Sequence, residues 1–517
     1  MCDNHKAMRE TVARSLQELL GSTKVTSGAA AETLADHFVH TAAAADPLAL
    51  DAYLRFINEV VVKHSINMSS PRCLGHMTSG VAPFVSPLMD IVIALNQNLA
   101  KREASRVISL LERQVLAMLH RLAFGFPDEF YVRHSNSGSS TLGIVASGGT
   151  LSNLAALWCA RSRSFPETSD FPGVDRAGMV AALKHYESER AVVLCSALAH
   201  YSVDKAAALL GLGERNVIKL PVDARQRLDV AALAQTIDDC IRLRHRIVAV
   251  IGVAGSTDCG SIDPLPQIAD LAERHRLHFH VDAAWGGVFL FADAHRRRLA
   301  GIERADTVTL DGHKQLRLPI STSALLFRDP CCASVLKKRA NYILQDDSDD
   351  LGQISVEGSR NASSLFTHAA LHVVGERGYS ALVDWSLANT RAMSKLVSAS
   401  AEFELLLEPE TNVLLYRYIP APWREKRVSG AISSADGPRL NAMNNALQKA
   451  QYEAGRTYVS RTTLTTLPRY QGLPVVALRA VLGNPSTSAE DIEAVLQDQI
   501  RIAAGIDAEA LDPSTQL

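Results

Sequence analysis

"VTLDGHKQL", Val308–Leu316, ends a β-branched apolar run with an acid, a glycine, a histidine and a lysine. A lysine where a buried strand meets a loop is unusual, because an ammonium group is costly to take from water. Taken alone, His313 and Lys314 read as a strand that has reached the surface. The surrounding chain gives them another context. From about residue 142, short apolar runs alternate with helical patterns: "GIVASGG" leads into "TLSNLAALWCARS", "AVVLCSALAH" into "YSVDKAAALLGLG", "NVIKLPVD" into "DVAALAQTIDDCIRLR", and "IVAVIGVAG" into "DPLPQIADLAERH". "LHFHVDAA", "TVTLDG" and "SALLFRD" follow. Such alternation predicts an α/β fold with a mainly parallel sheet covered on both faces. Ligands of such sheets sit beyond the carboxyl ends of the strands.

Composition narrows the function classes. The chain has 517 residues, 47% of them apolar and 21% charged, and a formal net charge of −2. Nucleic-acid binding normally leaves a basic footprint, and this balance shows none. No apolar run approaches a membrane span, and "MCDNHKAMRE" is not followed by a signal-type apolar region. The eight cysteines are scattered, without a CxxC pair or zinc-ligand spacing. These features predict a soluble protein of a reducing cytoplasm, with no nucleic-acid or membrane partner. Residues 1–130 read as a mostly helical N-terminal segment, 131–395 as a large domain and 396–517 as a small C-terminal α/β domain. "RANYILQDDSDDLGQISV" is acidic and lacks an apolar pattern, so a loop is expected there. Ser488 is the expected N-cap of the helix in "SAEDIEAVLQDQIRIAAG".

The ends of the apolar runs carry the chemistry. They are Ser147-Gly148-Gly149-Thr150, His200, Gly255-Ser256-Thr257, Asp282-Ala283-Ala284 and Asp311-Gly312-His313-Lys314. A parallel sheet brings all five to one edge. Glycines before a helix let a backbone approach an anion that the first amides then hold. Asp282, in apolar surroundings, requires a cationic or hydrogen-bonding partner. A partly desolvated lysine becomes nucleophilic toward a carbonyl. Anion cradle, acid, small flanking residues and amine together describe a site for pyridoxal 5′-phosphate.

Rival signals are weaker. "GLGERN" lacks the third glycine of a dinucleotide fingerprint and follows a helix. His275, His278 and His280 have no acid or cysteine at metal-ligand spacing, so they are taken as structural and no metal is expected.

"SGGTLSNLAAL", "HYSVDKAAALLGLG", "GSTDCGSIDPL", "VDAAWGG", "DGHK" and "LRAVLGNPSTSAEDI" stand in the order found in the group II pyridoxal-phosphate amino-acid decarboxylases, and the chain resembles that family over roughly residues 70–500. The likeness extends to the bacterial pyridoxal-dependent aspartate 1-decarboxylases through "GHMTS", "ALNQNL", "LERQVLAMLHRL", "DGHKQL" and "VEGSR". The resemblance implies a fold-type-I enzyme, α-decarboxylation of an acidic L-amino acid (aspartate first, glutamate or cysteine sulfinate as alternatives), and a homodimer with sites at the subunit interface. Another pyridoxal-phosphate reaction on the same fold remains an alternative. It implies that Lys314 attaches the cofactor, Asp282 pairs with its ring nitrogen, His200 stacks on one ring face and Ala284 packs on the other. Gly149, Thr150 and His313 would hold the phosphate, with Ser147 and Gly148 shaping the turn, Asp311 would belong to the cofactor-binding set, and Thr257 would meet the ring hydroxyl region. Arg479 would take the substrate α-carboxylate, and Tyr342 would return the proton. His76 and Asn98 would reach the substrate. The chain departs from the common Asn-Pro-His-Lys pattern at Asp311-Gly312. It also has Arg317 where an aromatic is usual, and Ser321-Thr322-Ser323 where small residues are usual.

Overall fold

The computed structural model describes residues 2–135, 137, 140–338, 350–429, 432, 435–470 and 472–506. By contact the chain divides into two compact units, one of residues 81–384 and the other of residues 1–80 with 385–517.

The larger unit is built on seven strands: β1 (Gly143–Ala146), β2 (Arg190–Ser196), β3 (Val217–Leu220), β4 (His245–Val253), β5 (Phe279–Asp282), β6 (Thr307–Asp311) and β7 (Ser323–Phe327). Their order across the sheet is β1-β7-β6-β5-β4-β2-β3. Only β7 runs against the others, pairing antiparallel with β1 on one side and β6 on the other. The near-continuous apolar strands follow from burial on both faces. Alternate residues of β4 show it. Ala249 and Ile251 join the cluster formed with Leu157 and Ala160 of helix α2 (Gly149–Ser164) and with Val203, Ala206 and Ala207 of α3 (Ser202–Leu209). On the opposite face, a Cβ at Gly252 would lie 2.7 Å from Leu265 and 3.5 Å from Ile268, both on α5 (Leu265–His275). Helix α4 (Val230–Arg242) is capped by Asp229, whose carboxylate accepts from the amides of Ala231 and Ala232. Before the sheet lie two helices, Val85–Leu95 and α1 (Arg102–Phe124). Asn96 ends the first with φ 42°, in the left-handed region.

The other unit has four antiparallel strands, β8 (Phe403–Leu407), β9 (Val413–Tyr418), β10 (Ser460–Leu464) and β11 (Val475–Val481), ordered β10-β11-β9-β8. Helices α6 (Gly437–Ala454) and α7 (Ala489–Ala503) supply Met443, Leu447, Ile492, Val495 and Leu496 to a core shared with Leu414, Tyr416, Leu478 and Ala480. Ser488 caps α7 as its sequence predicts. Its hydroxyl accepts from the Asp491 amide, while the Asp491 carboxylate accepts from the Ser488 amide. β8 and β10 were not apparent from sequence. β10 is "SRTTL", a largely polar run at the sheet edge.

Candidate active site

The strand ends meet as the topology requires. Parallel register sets Val253 opposite Asp282 and Asp282 opposite Thr309, while antiparallel register sets Ser323 opposite both Asp311 and Ala146. The carboxyl ends of β4, β5, β6 and β1 therefore form one edge. His200 follows β2 on the same edge, and its ring feels Asp282, Lys314, Asp311 and Asp258. Burial pushes this imidazole below its ordinary value, opposed by Asp282 and reinforced by Lys314. His200 Nδ1 accepts from the Ser202 amide at 3.3 Å, which fixes the ring at the start of α3.

Lys314 stands in the turn after β6. Its ammonium lies 3.3 Å from Asp311 Oδ2, and His313 Nε2 lies 3.6 Å from the same oxygen. The turn is tied down from behind: the amides of Gly312 and Leu318 donate to Thr322 O and Gly312 O, and Gln315 donates to Trp285 O. The residues that depart from the family pattern shape this turn. Arg317 and Ser321 adopt φ of 58° and 82°, which favour glycine. The Arg317 guanidinium is held below its ordinary value by burial.

Asp311 joins the lysine turn to the start of α2. A Cβ on Gly149 would lie 2.7 Å from Asp311 Oδ2, so only glycine permits this approach. Asp311 Oδ1 is buried and has no hydrogen-bond partner among the described residues. Gly148, the N-cap of α2, has no side chain to cap it, and among the described residues a Cβ on Gly148 would meet nothing within 4 Å. Leu151 and Ser152 donate their amides to Gly148 O, and a glycine turn at a helix start is the arrangement that can hold a phosphate. The Ser147 amide is engaged by Glu357 Oε1 at 2.9 Å. Thr150 stands in the first turn of α2, and Thr257 lies half-buried after β4.

Asp282 is buried and accepts from the Asn153 amide at 2.8 Å and from the Ala284 backbone at 3.1 Å. Ala284 is buried beside it. Sequence reasoning overlooked Asn153, although a polar residue within the apolar pattern "LSNLAALWCA" was the available signal. His278 and His280 were read as structural, and both bond Thr307 Oγ1, at 3.0 and 2.9 Å.

The remaining candidates have hydrogen-bond partners of their own. Asn98 donates to Ser359 Oγ at 2.9 Å and accepts from the Ala100 amide. His76 and Arg479 belong to the other unit. The exposed His76 ring bonds Thr78 Oγ1 at 2.7 Å, and Arg479, buried on β11, donates from Nε to Ser460 Oγ at 3.0 Å. Tyr342 lies outside the described residues.

An amine, a buried carboxylate, a neutral-leaning imidazole and an uncapped helix at one sheet edge fit a phosphorylated aldehyde with a basic ring nitrogen, and with this sheet they define a fold-type-I pyridoxal-phosphate enzyme. Residues 37–419 match the pyridoxal-dependent decarboxylase conserved domain, and the chain belongs to that family. Its cofactor is pyridoxal 5′-phosphate, and it is an amino-acid decarboxylase. It is 39% identical to an aspartate 1-decarboxylase of Aliivibrio fischeri over 89% of this chain and 84% of that one. It is 33% identical to an L-2,4-diaminobutyrate decarboxylase of Rhizobium meliloti over 80% of this chain and 75% of that one. The crystal structure of mouse CSAD in apo form superposes with a TM-score of 0.84 at 26% identity, covering 97% of this chain and all of that one. Among the described residues, no helix is long and apolar enough to cross a membrane.

Proposed function

We propose that this decarboxylase converts L-aspartate to β-alanine and carbon dioxide. The similarity to the Aliivibrio aspartate 1-decarboxylase over nearly nine-tenths of the chain carries this reading. The bound cofactor supplies an electron sink for the carbanion left when carbon dioxide departs. Lys314 attaches the cofactor. Asp282 receives its ring nitrogen, His200 and Ala284 flank the ring, and Thr257 meets the ring hydroxyl. Gly149, Thr150 and His313 hold the phosphate, Ser147 and Gly148 shape the turn, and Asp311 orients Lys314 and His313. From the family likeness alone, Arg479 takes the substrate α-carboxylate and Tyr342 returns the proton. The working form is a cytoplasmic homodimer in which His76 and Asn98 serve the neighbouring subunit's site; sedimentation of a fully active monomer would contradict it.

Glutamate and cysteine sulfinate are the second reading. Glutamate adds one methylene, which a pocket discriminates by about 1–3 kcal/mol. Carbon dioxide release from L-aspartate, L-glutamate, cysteine sulfinate, L-2,4-diaminobutyrate and L-DOPA should give the highest kcat/KM with L-aspartate. Lys314→Ala should abolish turnover on all five. A preference for diaminobutyrate or L-DOPA would overturn the acidic-substrate reading.

A further inference from the structure

From Asp282 a chain of hydrogen bonds runs along one face of the sheet toward the amino ends of β5 and β6. Register pairs His280 with Thr307 and Asp282 with Thr309, so these four side chains share the face covered by α2. Asn153, one turn into α2, stands among them with every hydrogen-bonding position used. Its amide nitrogen donates to Asp282 Oδ2 at 2.8 Å and to Ser202 Oγ at 2.9 Å. Its carbonyl oxygen receives Thr309 Oγ1 at 2.8 Å and His280 Nε2 at 3.1 Å.

The direction of each bond follows from Asp282. Reversing the Asn153 amide would press its oxygen against a carboxylate oxygen, so the nitrogen must face Asp282. The Asn153 oxygen can then only accept, and His280 carries its proton on Nε2. His280 Nδ1 is left to accept from the Thr307 hydroxyl, at 2.9 Å. That hydroxyl has spent its one proton and receives His278 Nε2–H at 3.0 Å. The chain ends there, because His278 Nδ1 is buried without a partner among the described residues. Burial holds both rings down at about 4, so each is neutral at pH 7 and has one ring proton to place.

We propose that His280 is a positioning residue: by donating from Nε2 to Asn153 it locks the amide whose nitrogen holds Asp282 in line for the cofactor's ring nitrogen. This rests on the reading that Asp282 pairs with that nitrogen. His280 touches neither cofactor nor substrate and acts through Asn153.

The test uses pyridoxal 5′-phosphate labelled with ¹⁵N in the ring, bound to full-length protein at neutral pH. The ring ¹⁵N shift and the cofactor dissociation constant are both read. His280→Gln keeps a donor at the Nε2 position and should resemble the wild type. The shorter His280→Asn reaches Thr307 but not Asn153. It should move the resonance toward the unprotonated value and weaken cofactor binding about tenfold, the order of a lost hydrogen bond to a charged network. Thr307→Val, which strips His280 of its anchor, should move the resonance in the same sense and supplies the answer if His280→Asn does not fold. Asp282→Asn separates the two readings. If it leaves the resonance unchanged, the pairing of Asp282 with the ring fails, and the proposal with it. If Asp282→Asn moves the resonance while His280→Asn or Thr307→Val leaves it in place, the pairing stands and the positioning role is overturned.

Discussion

Gly149 and Gly148 are adjacent glycines with different physical demands. Gly149 lies against Asp311, whose side chain is almost wholly buried and is bound to Lys314 at 3.3 Å. A methyl group 2.7 Å from Asp311 Oδ2 must displace that carboxylate or the start of α2. Gly148 has an extended φ of 172° and open space where its Cβ would be. In the cofactor-free protein, Gly149→Ala should therefore cost about 1–3 kcal/mol in urea unfolding, the range for overpacking a tight site, whereas Gly148→Ala should be nearly neutral. Equal effects would show that Asp311 yields more readily than its contacts imply. The two glycines were legible together as a turn before a helix. Which one bears the steric constraint depends on a residue far along the chain, so local sequence could not distinguish them.

At the scale of an element, α7 and α2 start in opposite ways. α7 has a reciprocal capping box between Ser488 and Asp491, with Glu490 adding favourable charge in the first turn. α2 starts at two glycines, and its N-cap residue makes no side-chain cap bond. One helix starts with a side-chain cap, and the other starts at a glycine that has no side chain to cap it. Ser488→Ala should lower stability by about 1 kcal/mol and leave cofactor affinity unchanged, measured by urea denaturation alongside a cofactor titration. Tighter or weaker cofactor binding in that variant would contradict the division of labour. Caps and apolar periodicity are local, which made α2, α4, α5 and α7 readable in advance. β8 and β10 were less so. β10 pairs with β11 along a polar edge, and its strand state follows from that partner more than from its own residues.

At the scale of the whole molecule, acid should act through buried histidines. Burial holds His120, His278 and His280 at about 4, against 6.5 for an exposed imidazole. His120 bonds Tyr131 Oη and Phe327 O, both at 3.0 Å, among Phe124, Phe126 and Phe130. Each ring is protonated more readily in the unfolded chain. Their stabilisation is full above pH 6.5 and is lost as pH falls toward 4, by up to about 1.4 kcal/mol per pH unit for each. Urea midpoints measured at constant cofactor should fall between pH 7 and pH 5. A flat profile would mean that these rings titrate normally. All three lie in the unit of residues 81–384, so its sheet should be the first structure to fail in acid.

The sequence alone determined the α/β alternation, the five strand-end motifs and their convergence on one edge. Strand period, glycine turns and helix caps are local, and a parallel sheet orders its carboxyl ends whatever the loops do. The same local signals marked the change of texture near residue 142, close to the first strand at Gly143. Only the tertiary structure set Gly149 against Asp311 and Asn153 between Asp282 and His280. It also grouped residues 1–80 with 385–517 by contact. Those relations join residues more than a hundred positions apart. They depend on register between neighbouring strands and on the seating of a helix over them, and no short stretch of sequence encodes either.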